Sequence, residues 1–293
     1  MTRPVSPLPP AARPHPHPAP PGACDTHVHL LAAPSEAPLY DGRTEDPAQP
    51  YAAYLAGYRA HLAALGITRG VIVQSIFYGL DNTVTIRAVR DMGPGFAGIG
   101  LLPDAASEAD LDAFAATRLR GVRLNHVHGG VLSWAGARAM APALAARDMH
   151  IQMLLHADRH MAEIADDVAA CPVPVVIDHI GWPTDLEAAP RTDGFRTLCR
   201  LMGEGHVWVK LSGLYRLDDA PYRRTDPVVE ALVAANPERC LWGSDWPHIM
   251  LNGAQMPPPG ALWDAFLRAV PDAATRQRIL VDNPQTLYRL DAT

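Results

Sequence analysis

From residue 23 onward the chain repeats one pattern: a short apolar run, then a longer segment whose apolar positions recur at helical spacing. The short runs occupy residues 23–29, 70–75, 97–102, 121–126, 150–156, 173–179, 207–212 and 239–245. A strand with one wet face would alternate apolar with polar residues. These runs are apolar on both faces, as parallel strands covered on both sides are. In the longer segment 51–65, Tyr51, Tyr54, Leu55, Tyr58, Leu62 and Leu65 fall on one helical stripe. Ser107 and Asp110 have the spacing of a capping box that opens a helix running to Arg118. Segments 132–146, 160–170, 194–202, 227–235, 262–270 and 273–280 complete the alternation. Eight strands with intervening helices predict an α/β fold, a (β/α)₈ barrel of the TIM type in one domain. The rival, an open doubly wound sheet, needs a G-x-G-x-x-G turn after its first strand. Val28-His29-Leu30-Leu31 stands there instead.

Residues 1–22 lie outside the pattern. They hold nine of the 29 prolines and cannot sustain a hydrogen-bond ladder, so they read as a flexible, partly polyproline arm. The His15-Pro16-His17 triplet goes with that arm and not with the chemistry. The barrel is then expected over residues 23–293. With 48% hydrophobic and 19% charged residues, the chain can build a large core, and global disorder is excluded. Twenty-five basic residues against 31 acidic ones give a net charge of −6, which disfavours nucleic acids and anionic membranes as partners. No apolar stretch of about 18 residues predicts a membrane span, and the N-terminus lacks an apolar signal core, so a cytoplasmic location is expected. Cys24, Cys171, Cys199 and Cys240 include no C-x-x-C pair. Reduced thiols are expected, not a zinc ribbon or a disulfide framework.

In such a barrel the C-terminal strand ends build the active site. The polar residues that close the apolar runs are therefore the candidates for chemistry. The first run ends Asp25-Thr26-His27-Val28-His29, and a period of two puts His27 and His29 on one face. The fifth ends in His156, the sixth in Asp178-His179 and the eighth in Ser244-Asp245. Four histidines and an aspartate at the same end of four strands would be costly to bury without a shared purpose. Three or four nitrogen and oxygen ligands are the composition of a catalytic divalent-metal site. Arg123 and Arg216, with Asn125, Ser75 and Tyr78, are candidates for binding substrate. Arginine suits a bidentate grip on carboxylate or sulfonate.

The segments DTHVHL at 25–30, VVIDHIGWP at 175–183, VKLSG at 209–213, LWGSDWPH at 241–248 and VDNPQTLY at 281–288 resemble the amidohydrolase superfamily. They are most similar to its amidohydrolase-related branch, which contains the 2-pyrone-4,6-dicarboxylate lactonases and 4-sulfomuconolactone hydrolases. The resemblance implies a distorted barrel with His27, His29, His179 and Asp245 in the active site. Metal-bound members carry a histidine at the end of strand 5. The pyrone dicarboxylate lactonases have another residue there and work without metal. His156 therefore argues for one divalent ion, expected to be Zn²⁺, on His27, His29, His156 and Asp245, with a metal-free site as the alternative. A binuclear site would need a carboxylated lysine on strand 4, whereas the one lysine, Lys210, falls in the seventh run.

The activity implied is hydrolysis of the lactone ring of a small anionic substrate, such as 2-pyrone-4,6-dicarboxylate or a muconolactone. Asp245 would be the general base and later return the proton to the leaving oxygen. His179 would orient the water or stabilise the oxyanion. A metal-dependent decarboxylase of the same superfamily, or a sugar-acid lactone hydrolase or isomerase, are the alternatives.

Overall fold

Each apolar run becomes a strand. The strands are β1 (Cys24–Val28), β2 (Arg69–Val73), β3 (Phe96–Gly100), β4 (Leu119–Asn125), β5 (His150–Leu154), β6 (Val175–Ile177), β7 (Val207–Leu211) and β8 (Cys240–Trp242). In the structure, a computed structural model that describes residues 3–290, they form one parallel sheet in chain order. Every strand except β4 is buried along its whole length, which is why the runs showed no alternation.

The sheet closes on itself. Val28 bridges Trp246, His29 N–H donates to Trp246 O at 2.8 Å, and Asp245 N–H donates to His27 O at 2.8 Å. Thr26 Oγ1 donates to Trp242 O at 2.8 Å. Below this seam the buried Asp25 carboxylate accepts from Ser244 Oγ (2.5 Å), Ser244 N (2.9 Å) and His27 N (3.2 Å), clasping the first strand to the last. The barrel is irregular: β6 and β8 are only three residues long, and the register slips along β1–β2 and β3–β4.

The outer layer contains α1 (Tyr51–Leu65), α2 (Thr83–Met92), α3 (Glu108–Ala115), α4 (Trp134–Ala145), α5 (Ala157–His160), α6 (Ala165–Ala169), α7 (Asp193–Gly203) and α8 (Asp226–Ala235). After β8 come α9 (Ala261–Ala269), α10 (Ala273–Gln277) and α11 (Asn283–Tyr288). The stripe read in 51–65 is the buried face of α1, and the Ser107–Asp110 capping box opens α3. Two expectations need correction. Residues 160–170 are not one helix but are divided between α5 and α6. Helix α2 was not anticipated, because its buried face is Val84, Thr85, Ala88 and Val89, too polar and small to stand out.

The proline-rich arm is not a loose appendage. His15 N–H donates to Ala64 O (2.9 Å) and Ala19 N–H to Leu65 O (2.7 Å), both carbonyls of the last turn of α1. Trp263 Nε1 donates to His17 O at 2.8 Å, and His15 Nε2 lies 3.0 Å from Asp264. Proline prevents the arm from pairing with itself. The carbonyls at a helix C-terminus lack partners within the helix, and the arm's few N–H groups find them. Among the described residues, no helix is long and apolar enough to cross a membrane, and all four cysteines are unpaired.

Candidate active site

The strands stop before the apolar runs do. His29, His156, His179 and Asp245 therefore sit in irregular backbone just past β1, β5, β6 and β8, while His27 lies within β1. His179 (φ 54°) and Asp245 (φ 59°) adopt left-handed conformations that cost a non-glycine residue roughly 1 kcal/mol or more. Neighbouring backbone is shaped to admit them. A Cβ at Gly213 would stand 2.6 Å from the His179 ring, and one at Gly243 would stand 2.6 Å from His27 Cβ. The strained backbone aims both functional side chains into the barrel mouth.

Asp245 is the hub. Its Oδ2 accepts from Tyr215 Oη (2.7 Å) and from Arg216 Nε (3.0 Å) and Nη2 (2.9 Å). Its Oδ1 has no hydrogen bond and lies 3.6 Å from both His27 Nε2 and His29 Nε2. His179 Nε2 is 3.9 Å from Oδ2, and its Nδ1 is 3.0 Å from Ser212 Oγ. The His27 ring centroid lies 5.1 Å from that of His29 and 4.8 Å from that of His179. His29 Nδ1 meets Val73 O at 2.8 Å, fixing its ring against β2.

Burial by itself would raise the Asp245 carboxyl, but Arg216, His179, His29 and His27 together hold it well below the usual carboxylate range. Burial pushes His27 well below the ordinary imidazole value and His179 down to about 4, against the pull of nearby aspartates. At neutral pH an ionised Asp245 thus faces neutral His27 and His179 rings, the state in which both kinds of group can accept protons or ligate a cation.

The other expected residues divide. His156 is not among the ligand atoms within 4.8 Å of one another, which come from His27, His179 and Asp245. Its Nδ1 meets Trp182 O at 2.7 Å, and its ring packs against Trp182, which separately packs against His179. Arg216 holds Asp245 and the carbonyls of Ile249 and Met250, so its guanidinium is already occupied within the protein. Arg123 turns Nε and Nη2 to Asp178. The Asn125 oxygen caps the loop at Val127 and His128. Ser75 Oγ accepts from Phe77 N, and Tyr78 Oη both donates to Ala32 O and accepts from Ala32 N. Tyr78 is therefore buried support for the loop after β1.

Sequence reasoning gave no role to Asp178, although it adjoins His179, and offered Tyr215 as a pocket-lining residue, whereas its hydroxyl is spent on Asp245. Lys210 is fully buried inside the barrel, donating to Thr26 O and Gln152 Oε1 at 2.7 Å each. Its ammonium has no access to a substrate carbonyl. Trp182, Tyr215, Arg216, Asp218 and Arg224 border a cleft of about 380 Å³ beside the cluster. A larger apolar cavity of about 440 Å³ lies beyond Trp246, between the arm, α1 and α9, and includes none of the clustered histidines.

The donor set fits a divalent cation. Two imidazoles and a carboxylate converge there, and His27 Nε2 and Asp245 Oδ1 are buried without hydrogen-bond partners. Leaving such groups unmatched is costly, and an ion would satisfy them.

A family model described as Amidohydrolase matches residues 24–290. The chain is 34% identical to a 4-sulfomuconolactone hydrolase of Rhizobium radiobacter, covering 92% of this chain and 90% of the relative. It is 32% identical to a 2-pyrone-4,6-dicarboxylate hydrolase of Comamonas testosteroni, again covering 92% and 90%. Among solved structures it resembles a putative 2-pyrone-4,6-dicarboxylic acid hydrolase from Pseudomonas putida. The TM-score is 0.78 at 28% identity, covering 93% of this chain and 99% of that one. With closed barrel, strand-end cluster and sequence in agreement, the chain belongs to the amidohydrolase family.

Proposed function

We propose that the protein hydrolyses the lactone ring of a small substrate bearing carboxylate or sulfonate groups, with Asp245 as general base. The observation that carries this reading is the asymmetry of Asp245. One oxygen is anchored by Tyr215 and Arg216, and the other is uncommitted and faces His27 and His29. An anchored carboxylate with one free oxygen is built to move a proton at a fixed point. Oδ1 takes a proton from water as the water oxygen bonds to the lactone carbonyl carbon. It returns that proton to the ring oxygen as the ring C–O bond breaks. His179, fixed through Nδ1 by Ser212, brings Nε2 to 3.9 Å from Asp245 Oδ2 and orients the water or the developing oxyanion.

His27, His179 and Asp245, with His29 alongside, would hold one divalent cation, and Zn²⁺ suits this donor set. When bound, it supplies Lewis-acid polarisation of the carbonyl and of water. The relatives named for hydrolysis of a sulfonated muconolactone and a pyrone dicarboxylate support an anionic lactone as substrate. So does Arg224 at the cleft. Unpaired cysteines support a reducing, cytoplasmic compartment.

A pH-indicator assay over pyrone dicarboxylates, sulfonated and carboxylated muconolactones, sugar-acid lactones and a neutral lactone tests this. Proton release is expected from anionic lactones and not from the neutral one. It should be lost with chelator and restored by Zn²⁺. CO₂ release in place of ring opening would replace the proposal with a decarboxylase, and silence across the panel would remove it.

A further inference from the structure

Asp178 follows β6 and carries a fully buried carboxylate that no step above uses. Its Oδ1 lies 3.3 Å from His27 Nδ1, a close contact in which both atoms are buried and neither has a hydrogen-bond partner. Its Oδ2 accepts from Arg123 Nε at 3.2 Å and Nη2 at 3.1 Å. The other nitrogen of the same imidazole, Nε2, faces Asp245 Oδ1 at 3.6 Å. His27 thus stands between two carboxylates, one on each side of its ring.

A neutral imidazole carries one proton, and its position decides what the ring can do. With the proton on Nδ1, the ring donates to Asp178 and turns the Nε2 lone pair toward the centre of the site. With the proton on Nε2, the lone pair of Nδ1 opposes the Asp178 carboxylate, and the face toward the centre cannot ligate a cation or accept a proton. The two carboxylates compete unequally. Asp178 is the closer, and Arg123 fixes it through two nitrogens. Asp245 has both of its anchors on the oxygen turned away from His27.

We propose that Asp178, clamped by Arg123, is the positioning residue of the site and holds His27 in its Nδ1–H form, with the Nε2 lone pair presented beside Asp245. Arg123 then acts on the reaction through Asp178, in addition to any contact its remaining Nη1 makes with an anion. The inference rests on the site assignment above and not on the identity of the substrate.

The test is the protonation of the histidine rings in the protein labelled with ¹⁵N-histidine, read by long-range ¹H–¹⁵N NMR without any lactone. His27 is expected as the Nδ1–H form, and an Nε2–H form would overturn the proposal. Asp178→Asn is the companion variant. Arg123 requires the amide oxygen, so the Asn NH₂ would face His27 Nδ1 and force the proton to Nε2. The expected result is a switched tautomer, Zn²⁺ affinity by chelator competition about 10–100-fold weaker, and a lowered kcat with little change in KM. An unchanged tautomer and Zn²⁺ affinity in a folded Asp178→Asn protein would equally overturn it. Should that variant not fold, the wild-type spectrum alone decides. Failure of the lactone reading would appear separately, as absent turnover with the tautomer as described.

Discussion

Asp245 is kept ionised in a buried site by the groups packed around it. Burial opposes its charge, and Arg216, the largest of the opposing contributions, outweighs burial only together with His179, His29 and His27. Removing one partner of a buried pair leaves the other uncompensated, at a cost of about 3–5 kcal/mol. Arg216→Leu should therefore lower the urea-unfolding free energy by about that much. A loss under 1 kcal/mol would show that the pair contributes little. The sequence identified Arg216 and Arg123 as anion-binding residues by type, but their internal partners could not be read. Both reach carboxylates that are remote in sequence, Asp178 lying 55 residues from Arg123 and Asp245 29 from Arg216. Tyr78 misled for a related reason. Its hydroxyl looked available for substrate until the loop after β1 placed Ala32 against it.

Among the elements, the strands were the most legible, because two buried faces leave an unmistakable apolar run. Their ends were less so. The runs overshoot β6 and β8, since His179 and Asp245 leave the ladder through positive φ values that no apolar pattern signals. Strand β5 opens on a buried histidine, His150. Burial pushes His150 down to about 3, with its Nε2 unpartnered. The sign of its effect on stability follows. The folded value lies below the unfolded one near 6.5, so the contribution is full above that pH. It is lost as pH falls from about 6.5 through about 3, to a total of about 5 kcal/mol. Urea unfolding from pH 7 to pH 4 should show this decline, and His150→Gln should flatten it. An equal slope in the variant would assign the decline to other groups.

At the scale of the whole molecule, the closed barrel was foreseen and the docked arm was not. Nine prolines suggested a free segment, but the acceptors that bind the arm lie on α1 and its donor partner on α9, far away in sequence. Deleting residues 1–18 removes the acceptor of Trp263 Nε1 and uncovers the adjoining apolar face. It should lower stability by about 2–3 kcal/mol, at about 1 kcal/mol per lost hydrogen bond, as seen in thermal melts and urea titrations. An unchanged melt would mean that the arm adds nothing to the barrel. The central claim concerns the mouth of that barrel, where the uncommitted oxygen of Asp245 moves the proton of lactone hydrolysis. Its most direct test is proton release on the preferred anionic lactone by wild type and Asp245→Asn, with thermal melts in parallel. The account predicts a folded variant with turnover reduced by about a thousandfold or more, in keeping with the loss of a general base. A folded Asp245→Asn protein that turns over at a near-wild-type rate would contradict it.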